Sequence, residues 1–377
     1  MSAAPLHPVV FFFCRLGDMV MLTAMLHRLH RRYHLPNYVI GAGSWNASVY
    51  PENPDVAGLW SFRRHLPFVL SPAWLEVRRV LRATDPGPIY VCEKHYRQLP
   101  RIRRMLALSG IDPARCVFIT DDAVDAPPHL VDRLTRLASR TPARLRASDY
   151  PNPTELDFDG PKLYLSAAER AARDAWLERQ GWAGRDLILI QPGNHRTMSW
   201  RRGRWRRTNA DNKAWPPDRW VALLQRIHAR MPQALIVLRG ARVEVPMLCE
   251  IQAATRLDAV GVAGDSLREF FALCEVAHSM ISVDSGPAHA AAALSLPLVV
   301  LYGAESPRHW LPRSPSGSAV IGLVGEPPST RADQIPVEAV FEAWCAVLEQ
   351  MPASAPAASG GPAPRPSDAA QASAPVC

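Results

Sequence analysis

The chain has 377 residues, of which 48% are hydrophobic and 21% are charged. This length is more than one hydrophobic core supports, and the composition excludes a disordered or fibrous protein, so we expect two globular domains. The formal net charge is +8, and the 43 basic residues include only three lysines, Lys94, Lys162 and Lys213. A surplus of positive charge favours acidic partners such as nucleic acid, anionic lipid or a phosphorylated glycan.

The N-terminal region lacks the features of a membrane or secretory segment. Its apolar stretch, residues 9–14, is about a third of what a membrane span needs, and no charged region or cleavage pattern accompanies it. The seven cysteines are scattered and no histidine-rich cluster occurs, so we expect no metal site. These features predict a cytoplasmic protein that is at most peripherally attached to a membrane.

Apolar strand patterns alternate with helical patterns over the first 160 residues. Residues 9–13 predict a strand, which a tight turn connects to a helix over residues 19–33. Later strands are predicted at residues 38–40, 88–92 and 116–119. Strands that alternate with helices are typical of a parallel sheet covered by helices. Residues 1–160 are therefore predicted to form a Rossmann-like α/β domain.

A second series of the same kind follows a proline-rich boundary at residues 150–161. Ser166 and Glu169 form a capping-box pattern, which predicts a helix through Gln180. Five strands are then predicted, at residues 187–190, 234–238, 259–262, 280–283 and 298–302. Residues 161–350 are thus expected to form a second Rossmann-like domain. Residues 351–377 are rich in alanine, proline, serine and glycine, and we predict that they form a disordered tail.

The turn after the strand at residues 280–283 carries the strongest functional signal. Its sequence is Asp284-Ser285-Gly286-Pro287, and an alanine-rich helix follows. Proline suits the first position of a helix, and Ser285 or Gly286 can serve as the N-cap. This helix N-terminus would lie at the carboxyl edge of a parallel sheet, where open α/β sheets bind ligands and where backbone N–H groups attract anions. The predicted ligand is a phosphate or a nucleotide.

Two side chains of this motif allow more than one interpretation. Asp284 either contacts the ligand or accepts hydrogen bonds from the N–H groups of its own loop. His289, in the first turn of the helix, either donates a hydrogen bond to a phosphate or packs in the interior. The residues alone leave both alternatives open.

Three further polar side chains follow predicted strands. Asp18 could accept a proton at the end of the first strand, although local sequence favours its other interpretation as a helix cap. Lys213 could bind a pyrophosphate together with the Thr208 hydroxyl, or it could lie in a solvated loop. Glu244 could bind ribose hydroxyls, or it could stabilise a helix N-terminus.

Taken in chain order, these pieces resemble glycosyltransferase family 9, the ADP-heptose:lipopolysaccharide heptosyltransferases and their relatives. The resemblance extends from residue 9 to residue 312. The matching motifs are Arg15-Leu16-Gly17-Asp18-Met19-Val20, Lys213-Ala214-Trp215-Pro216, Gly240 with Glu244, residues 284–292 and Trp310-Leu311-Pro312. The resemblance implies a GT-B fold, in which two Rossmann-like domains face a central cleft and the C-terminal one holds the donor.

The resemblance also implies a role for each matching residue. Asp18 would be the catalytic base of an inverting, metal-independent transfer. The donor-binding residues would be Thr208 and Lys213 at the phosphates, Glu244 at the ribose, and Asp284, Ser285, Gly286 and His289 in the donor-site loop. The sugar nucleotide is a substrate in this scheme, and no cofactor is expected. Protein cations and a helix N-terminus would neutralise the departing pyrophosphate.

The sequence departs from the family pattern in two places. Glu305 stands where many relatives carry a small hydroxyl residue, which bears on donor specificity. The segment between Gly193 and Lys213 is longer than in the compact members and is strongly basic. We interpret it as a loop that contacts a phosphorylated or carboxylated acceptor, or the anionic inner-membrane leaflet that carries the acceptor. The residues assigned to this contact are Arg201, Arg202, Arg204 and Arg206; the alternative is a solvated loop in an arginine-rich chain.

The function expected from these features is transfer of a sugar onto a lipid-linked lipopolysaccharide-core or related envelope glycan. Heptose from ADP-heptose is the favoured donor group. One alternative is the same fold with another sugar nucleotide, and another is a relative that binds sugar nucleotides without catalysis. A nucleic-acid-binding protein is the alternative from a different class, because Trp200 and Trp205 lie among the arginines. Nucleic acid is not the partner we expect, since that alternative leaves the ordered motifs unexplained.

Overall fold

The computed structural model describes residues 4–63, 67–121, 127–194, 196–201, 204–207, 212–263, 266–327 and 330–351. The chain divides between Tyr164 and Leu165 into two compact units, and Arg308–Trp310 groups with the first of them. Thr208, Arg202 and the predicted tail beyond residue 351 lie outside the described residues.

The N-terminal unit contains a five-stranded parallel sheet with the strand order β3-β2-β1-β4-β5. The strands are β1 (Val9–Phe12), β2 (Asn37–Ala42), β3 (Val56–Phe62), β4 (Ile89–Val91) and β5 (Cys116–Phe118). The helices are α1 (Leu16–Tyr33), α2 (Asn46–Val49), α3 (Ala73–Ala83), α4 (Gln98–Leu108) and α5 (Leu130–Ser139). The central strand β1 is buried along its whole length, as its unbroken apolar sequence predicts for a strand covered on both faces.

The first helix starts earlier than the sequence predicted. The pattern indicated a helix from Met19, whereas α1 begins at Leu16 and Arg15 occupies the N-cap position. Asp18 therefore lies inside the first turn of α1 and is not the N-cap residue itself.

The C-terminal unit contains a six-stranded parallel sheet with the strand order β10-β9-β6-β11-β12-β13. Its strands are β6 (Leu187–Gln191), β9 (Leu235–Arg239), β10 (Val260–Ala263), β11 (Ser279–Val283), β12 (Leu298–Tyr302) and β13 (Val320–Val324). The helices are α6 (Ala167–Arg179), α7 (Pro217–Arg230), α8 (Val245–Thr255), α9 (Leu267–Val276), α10 (Gly286–Ala293) and α12 (Val337–Glu349). The short helix α11 (Pro307–Trp310) lies between β12 and β13 in the chain, but its residues Arg308–Trp310 group with the N-terminal unit. Strands β6, β9, β10, β11 and β12 are fully buried, and Trp220 and Trp344 belong to the core that covers them.

One element corrects the sequence interpretation. The basic segment between Gly193 and Lys213, interpreted as a loop, contains an antiparallel hairpin of β7 (Met198–Arg201) and β8 (Arg204–Arg207). Trp200 pairs with Trp205 in its register, and Arg201 pairs with Arg204. The loop interpretation was wrong because each strand has only four residues, so the apolar and polar alternation of β7 is too short to stand out in a segment rich in arginine.

None of the helices in the described ranges has the combination of length and apolar character that crossing a membrane requires.

Candidate functional site

Each parallel sheet has a point where its strand order reverses. In the N-terminal sheet the chain runs outward from β1 to β2 and β3, and then places β4 on the other side of β1. In the C-terminal sheet it runs outward from β6 to β9 and β10, and then places β11 on the other side of β6. The loops on the two sides of such a point diverge and open a crevice at the carboxyl edge of the sheet, where ligands bind. Asp18 follows β1, and Asp284 follows β11.

Asp18 caps its own helix from inside the first turn. Its Oδ2 accepts a hydrogen bond from the backbone N–H of Arg15 at 3.1 Å, and no other described residue donates to the carboxylate. The side chain is half-buried. Burial raises the pKa of this carboxyl above its ordinary value, and the negative charge of Glu93 raises it too, while Arg15 and Lys94 act in the opposite direction. A raised pKa is a property of carboxylates that accept protons in catalysis.

Glu93 lies on the opposite side of the same crevice and was not among the residues predicted from the sequence. It follows β4 and is only 2% exposed. Its carboxylate accepts hydrogen bonds from the backbone N–H of His95 at 2.7 Å and from that of Phe13 at 3.3 Å. The side chain therefore ties the turn that leads to Asp18 to the neighbouring strand. The signal that could have found Glu93 is a carboxylate directly after a predicted strand, the same signal that identified Asp18.

Lys213 and Asp284 form an ion pair at the corresponding edge of the C-terminal sheet. The Nζ atom of Lys213 lies 2.5 Å from Oδ2 of Asp284, and the two side chains are 13% and 9% exposed. The backbone N–H of Asp284 donates to the carbonyl of Leu301 at 2.8 Å, which continues the pairing of β11 with β12. Partial burial strengthens the attraction between two opposite charges relative to a pair in water. The pair thus fixes a cation beside the turn that precedes α10.

Close backbone packing positions the loop that carries Lys213. The carbonyl of Asn212 accepts a hydrogen bond from the N–H of Ala332 at 2.9 Å. A Cβ atom at Gly303, just after β12, would lie 2.5 Å from the carbonyl oxygen of Asn212. Glycine at this position is therefore what allows the loop to approach the sheet edge.

The N-terminus of α10 follows Asp284 directly. Ser285 is the N-cap residue, but its hydroxyl lies 3.2 Å from the hydroxyl of Ser282 and does not cap the helix amides. Gly286 is the first helical residue, and His289 is buried, with 6% of its surface exposed. The positive end of the helix dipole is consequently not covered by the oxygen of its own N-cap side chain, which leaves an environment suited to an anion.

Glu244 occupies a space left by two glycines. It is 4% exposed, and its Oε2 accepts a hydrogen bond from the N–H of Ala241 at 2.7 Å. A Cβ atom at Gly240 would lie 2.9 Å from Oε2, and one at Gly193 would overlap Oε1. Because Gly193 follows β6 and Gly240 follows β9, the carboxylate lies between the ends of two adjacent strands, next to the reversal point.

The structure thus places the described residues of the predicted donor site on loops and helix ends at one sheet edge, and Asp18 at the corresponding edge of the other sheet. Thr208 and Arg202 are not among the described residues, and for Arg201, Arg204 and Arg206 only the hairpin register is described. Glu305 is exposed. In the described part of the chain, no three His, Cys, Asp or Glu side chains converge as metal ligands would.

Two α/β domains, each with a strand reversal point at which ligands bind, define a class of proteins that includes many nucleotide-binding enzymes. Comparison with known proteins narrows this class. The model of glycosyltransferase family 9 (heptosyltransferase) matches residues 112–335, more than half of the chain. The chain belongs to glycosyltransferase family 9. Membership in this family accounts for those motifs within residues 112–335 that the nucleic-acid alternative left unexplained.

Similarities to individual proteins support the same family assignment. The chain is 32% identical over 133 residues to lipopolysaccharide heptosyltransferase 3 of Escherichia coli, a match that spans 35% of this chain and 35% of that protein. Among solved structures, a family 9 glycosyl transferase from Veillonella parvula superposes with a TM-score of 0.71 at 16% identity, covering 93% of this chain and 99% of the other. The E. coli ADP-heptose lps heptosyltransferase II superposes with a TM-score of 0.67 at 20% identity, covering 92% and 99%. These similarities confirm the predicted GT-B fold class.

Proposed function

We propose that this protein transfers a sugar from a sugar nucleotide to a glycan acceptor, with inversion at the anomeric carbon and without a metal or other cofactor. The observation that carries the proposal is the Lys213–Asp284 pair beside the N-terminus of α10, at the strand reversal point of the C-terminal sheet. An ammonium and a helix N-terminus together suit a diphosphate, which is the leaving group of such a donor.

The proposed reaction is a single displacement. The acceptor hydroxyl oxygen forms a bond to the anomeric carbon while the bond from that carbon to the nucleotide diphosphate breaks. The acceptor proton passes to the carboxylate of Asp18, and the departing diphosphate keeps the electron pair of the broken bond. Lys213 and the N-terminus of α10 stabilise the charge that develops on the diphosphate, and one displacement inverts the configuration.

ADP-heptose is the donor we propose, since a superposing structure carries that compound in its name. Glu244 would contact the ribose, with Thr208 near the phosphates and Ser285, Gly286 and His289 lining the donor site. Titration calorimetry with ADP-heptose, ADP, adenosine and a UDP-sugar tests this proposal. We expect ADP-heptose and ADP to bind and the UDP-sugar to bind at least about tenfold more weakly, a difference of about 1.4 kcal/mol. Tighter binding of the UDP-sugar would support the alternative that the fold uses another sugar nucleotide.

Replacing Gly193 by alanine tests the role of Glu244. The added methyl group would overlap Oε1 of Glu244, so the carboxylate must leave its position between β6 and β9. We expect affinity for ADP and for adenosine to fall together, by about tenfold, and the melting temperature to fall by a few degrees, since overpacking costs about 1–3 kcal/mol. Glu244→Gln is the companion variant, because it keeps the shape of the side chain. A lower melting temperature with unchanged affinities in both variants would make Glu244 a purely structural residue.

The acceptor we propose is a lipid-linked glycan of the lipopolysaccharide core or a related envelope glycan. The name of the curated relative contains lipopolysaccharide, and the basic hairpin supplies positive charge for a phosphorylated or carboxylated acceptor. Arg201, Arg202, Arg204 and Arg206 are the residues we assign to that contact. A lipid-linked acceptor also implies that the protein works in the cytoplasm at the inner membrane, in peripheral contact with its anionic leaflet.

A further inference from the structure

The N-terminal unit presents a cluster of exposed apolar side chains. Val69, Leu70 and Leu75 are 51%, 74% and 69% exposed, and they lie within seven residues of one another. The other large hydrophobic side chains that are exposed in the described residues are dispersed along the chain: Trp45, Tyr96, Leu108, Val276 and Val324. We refer to Val69, Leu70 and Leu75 as the apolar patch. Solvent-exposed leucines in such a cluster mark a surface that binds an apolar partner.

The backbone under the apolar patch is firmly held. Phe68 and Trp74 are buried, and their rings meet edge to face with centroids 4.7 Å apart. The N–H of Ser71 donates to the carbonyl of Phe68, and the N–H of Trp74 donates to that of Ser71, both at 2.9 Å. Val69 and Leu70 lie in a 3-10 helix (Phe68–Leu70) and Leu75 lies in the first turn of α3, with a two-residue connection between them. The backbone that displays the patch is therefore already ordered, so little backbone ordering entropy remains to oppose binding.

Positive charge adjoins the apolar patch on α3. Leu75, Arg79 and Arg82 are spaced for one face of the helix, and all three are exposed. The guanidinium of Arg78 lies over the ring of Trp74, 5.9 Å from its centroid. Within the described residues, no carboxylate forms an ion pair with these arginines. The acidic residue of the helix, Glu76, instead accepts a hydrogen bond from Nε1 of Trp60 at 2.9 Å.

We propose that the apolar patch and the α3 arginines dock this protein on an anionic phospholipid surface. Aliphatic side chains enter the boundary between headgroups and acyl chains, while arginines pair with lipid phosphates. A second copy of this chain fits less well, because symmetric pairing would bring the same arginines of two chains with a net charge of +8 together. Nucleic acid also fits less well, since bases stack on aromatic rings and the patch is aliphatic.

The position of the patch connects docking with catalysis. This connection rests on the proposed function, in which the acceptor is lipid-linked. β3 ends at Phe62, at the same carboxyl edge of the parallel sheet as the end of β1, where Asp18 follows. The segment that carries the patch leaves the sheet from that edge. Docking through the patch would bring the lipid surface next to the sheet edge at which the acceptor hydroxyl must lose its proton.

Vesicle flotation tests the proposal without donor or acceptor, so its outcome is independent of the proposed catalytic function. We expect the full-length protein to float with phosphatidylcholine vesicles that contain phosphatidylglycerol, less so at high salt, and not with phosphatidylcholine alone. The triple variant Val69→Ser, Leu70→Ser, Leu75→Ser and the double variant Arg78→Gln, Arg79→Gln should each bind at least about tenfold more weakly. The double variant Val276→Ser, Val324→Ser, which changes exposed valines of the other unit, should bind as the unchanged protein does.

Several results would overturn the proposal. In one, the unchanged protein does not float; in another, the triple variant floats as well as the unchanged protein does. In a third, size-exclusion chromatography shows that the unchanged protein forms an oligomer and that the triple variant does not. The proposal would also fail if replacing Arg201, Arg202, Arg204 and Arg206 by glutamine abolished flotation while the apolar patch had no effect. Transfer to a deacylated, water-soluble acceptor should remain unchanged in the triple variant, which separates docking from catalysis. A protein that floats as expected but transfers no sugar would leave the docking proposal intact and would contradict the proposed function.

Discussion

Replacing Asp18 by asparagine is expected to lower turnover by about 10²-fold or more, the range for a lost general base. Folding should be preserved, because the amide oxygen of asparagine can still accept the hydrogen bond from the N–H of Arg15. Burial disfavours the ionised form of Asp18 in the folded protein, so removal of its charge should not lower stability at neutral pH. Donor affinity should change little. Steady-state kinetics, calorimetry and thermal melts measure these three quantities.

The pH dependence gives a second test of the same residue. The pKa of Asp18 is raised, so the carboxyl takes up its proton at a higher pH than an ordinary aspartate does. Activity should therefore fall as the pH decreases through this raised pKa. Glu93→Gln should move this acidic limb of kcat/KM to lower pH, because it removes a negative charge that raises the pKa of Asp18.

Asp132→Asn is the matched control for Asp18→Asn. Asp132 lies in the first turn of α5, at the third helical position, as Asp18 does in α1. It should leave turnover unchanged. If Asp18→Asn also retains full turnover, or mainly loses thermal stability, Asp18 is only a helix cap.

Lys213→Ala is expected to weaken binding of the sugar nucleotide and of ADP by about tenfold or more, whereas adenosine should bind nearly as before. The proposed contact is between the Lys213 ammonium and the diphosphate, and a charge-assisted hydrogen bond contributes about 1.5–3 kcal/mol. The variant should also melt at a lower temperature, because the buried carboxylate of Asp284 loses a cation at 2.5 Å. Calorimetry with all three ligands separates the two effects.

Lys162→Ala provides the comparison for this variant. Its ammonium lies over the rings of Phe158 and Tyr164 in the N-terminal unit. It should leave all three affinities unchanged. Equal losses for the sugar nucleotide, ADP and adenosine in Lys213→Ala would instead identify Lys213 as a structural residue that supports the whole site.

The central strands of both sheets could be predicted from the sequence, whereas two edge strands could not. β1 and β12 are apolar throughout, β6 is apolar up to its last residue, Gln191, and β11 is interrupted only by serines, because each strand is covered on both faces. Within the two parallel sheets, the missed strands are β3 and β13, and both are edge strands that are only partly buried. A half-covered edge strand has no need for an unbroken apolar sequence, so its pattern is weak.

In the candidate site, residues next to a strong local pattern could be predicted, whereas contacts between distant parts of the chain could not. Polar residues that directly follow strong strand patterns, such as Asp18 and Asp284, could be found in the sequence, and Glu93 was detectable in the same way. The spatial function of Gly193 and Gly303 could not be found, because each glycine makes room for a group distant in sequence, Glu244 and Asn212 respectively. The ion pair of Lys213 with Asp284 likewise depends on how two loops pack.

The most direct measurement is mass spectrometry of an acceptor after incubation with this protein and a sugar nucleotide. With ADP-heptose and a deacylated lipopolysaccharide-core acceptor, we predict that the acceptor gains the mass of one heptosyl residue and that one ADP is released for each acceptor converted. The Asp18→Asn variant should bind the donor and give little product. An unchanged acceptor mass with every sugar nucleotide offered, in a protein that is folded and binds ADP, would contradict the proposed transfer and support a sugar-nucleotide-binding relative without catalysis.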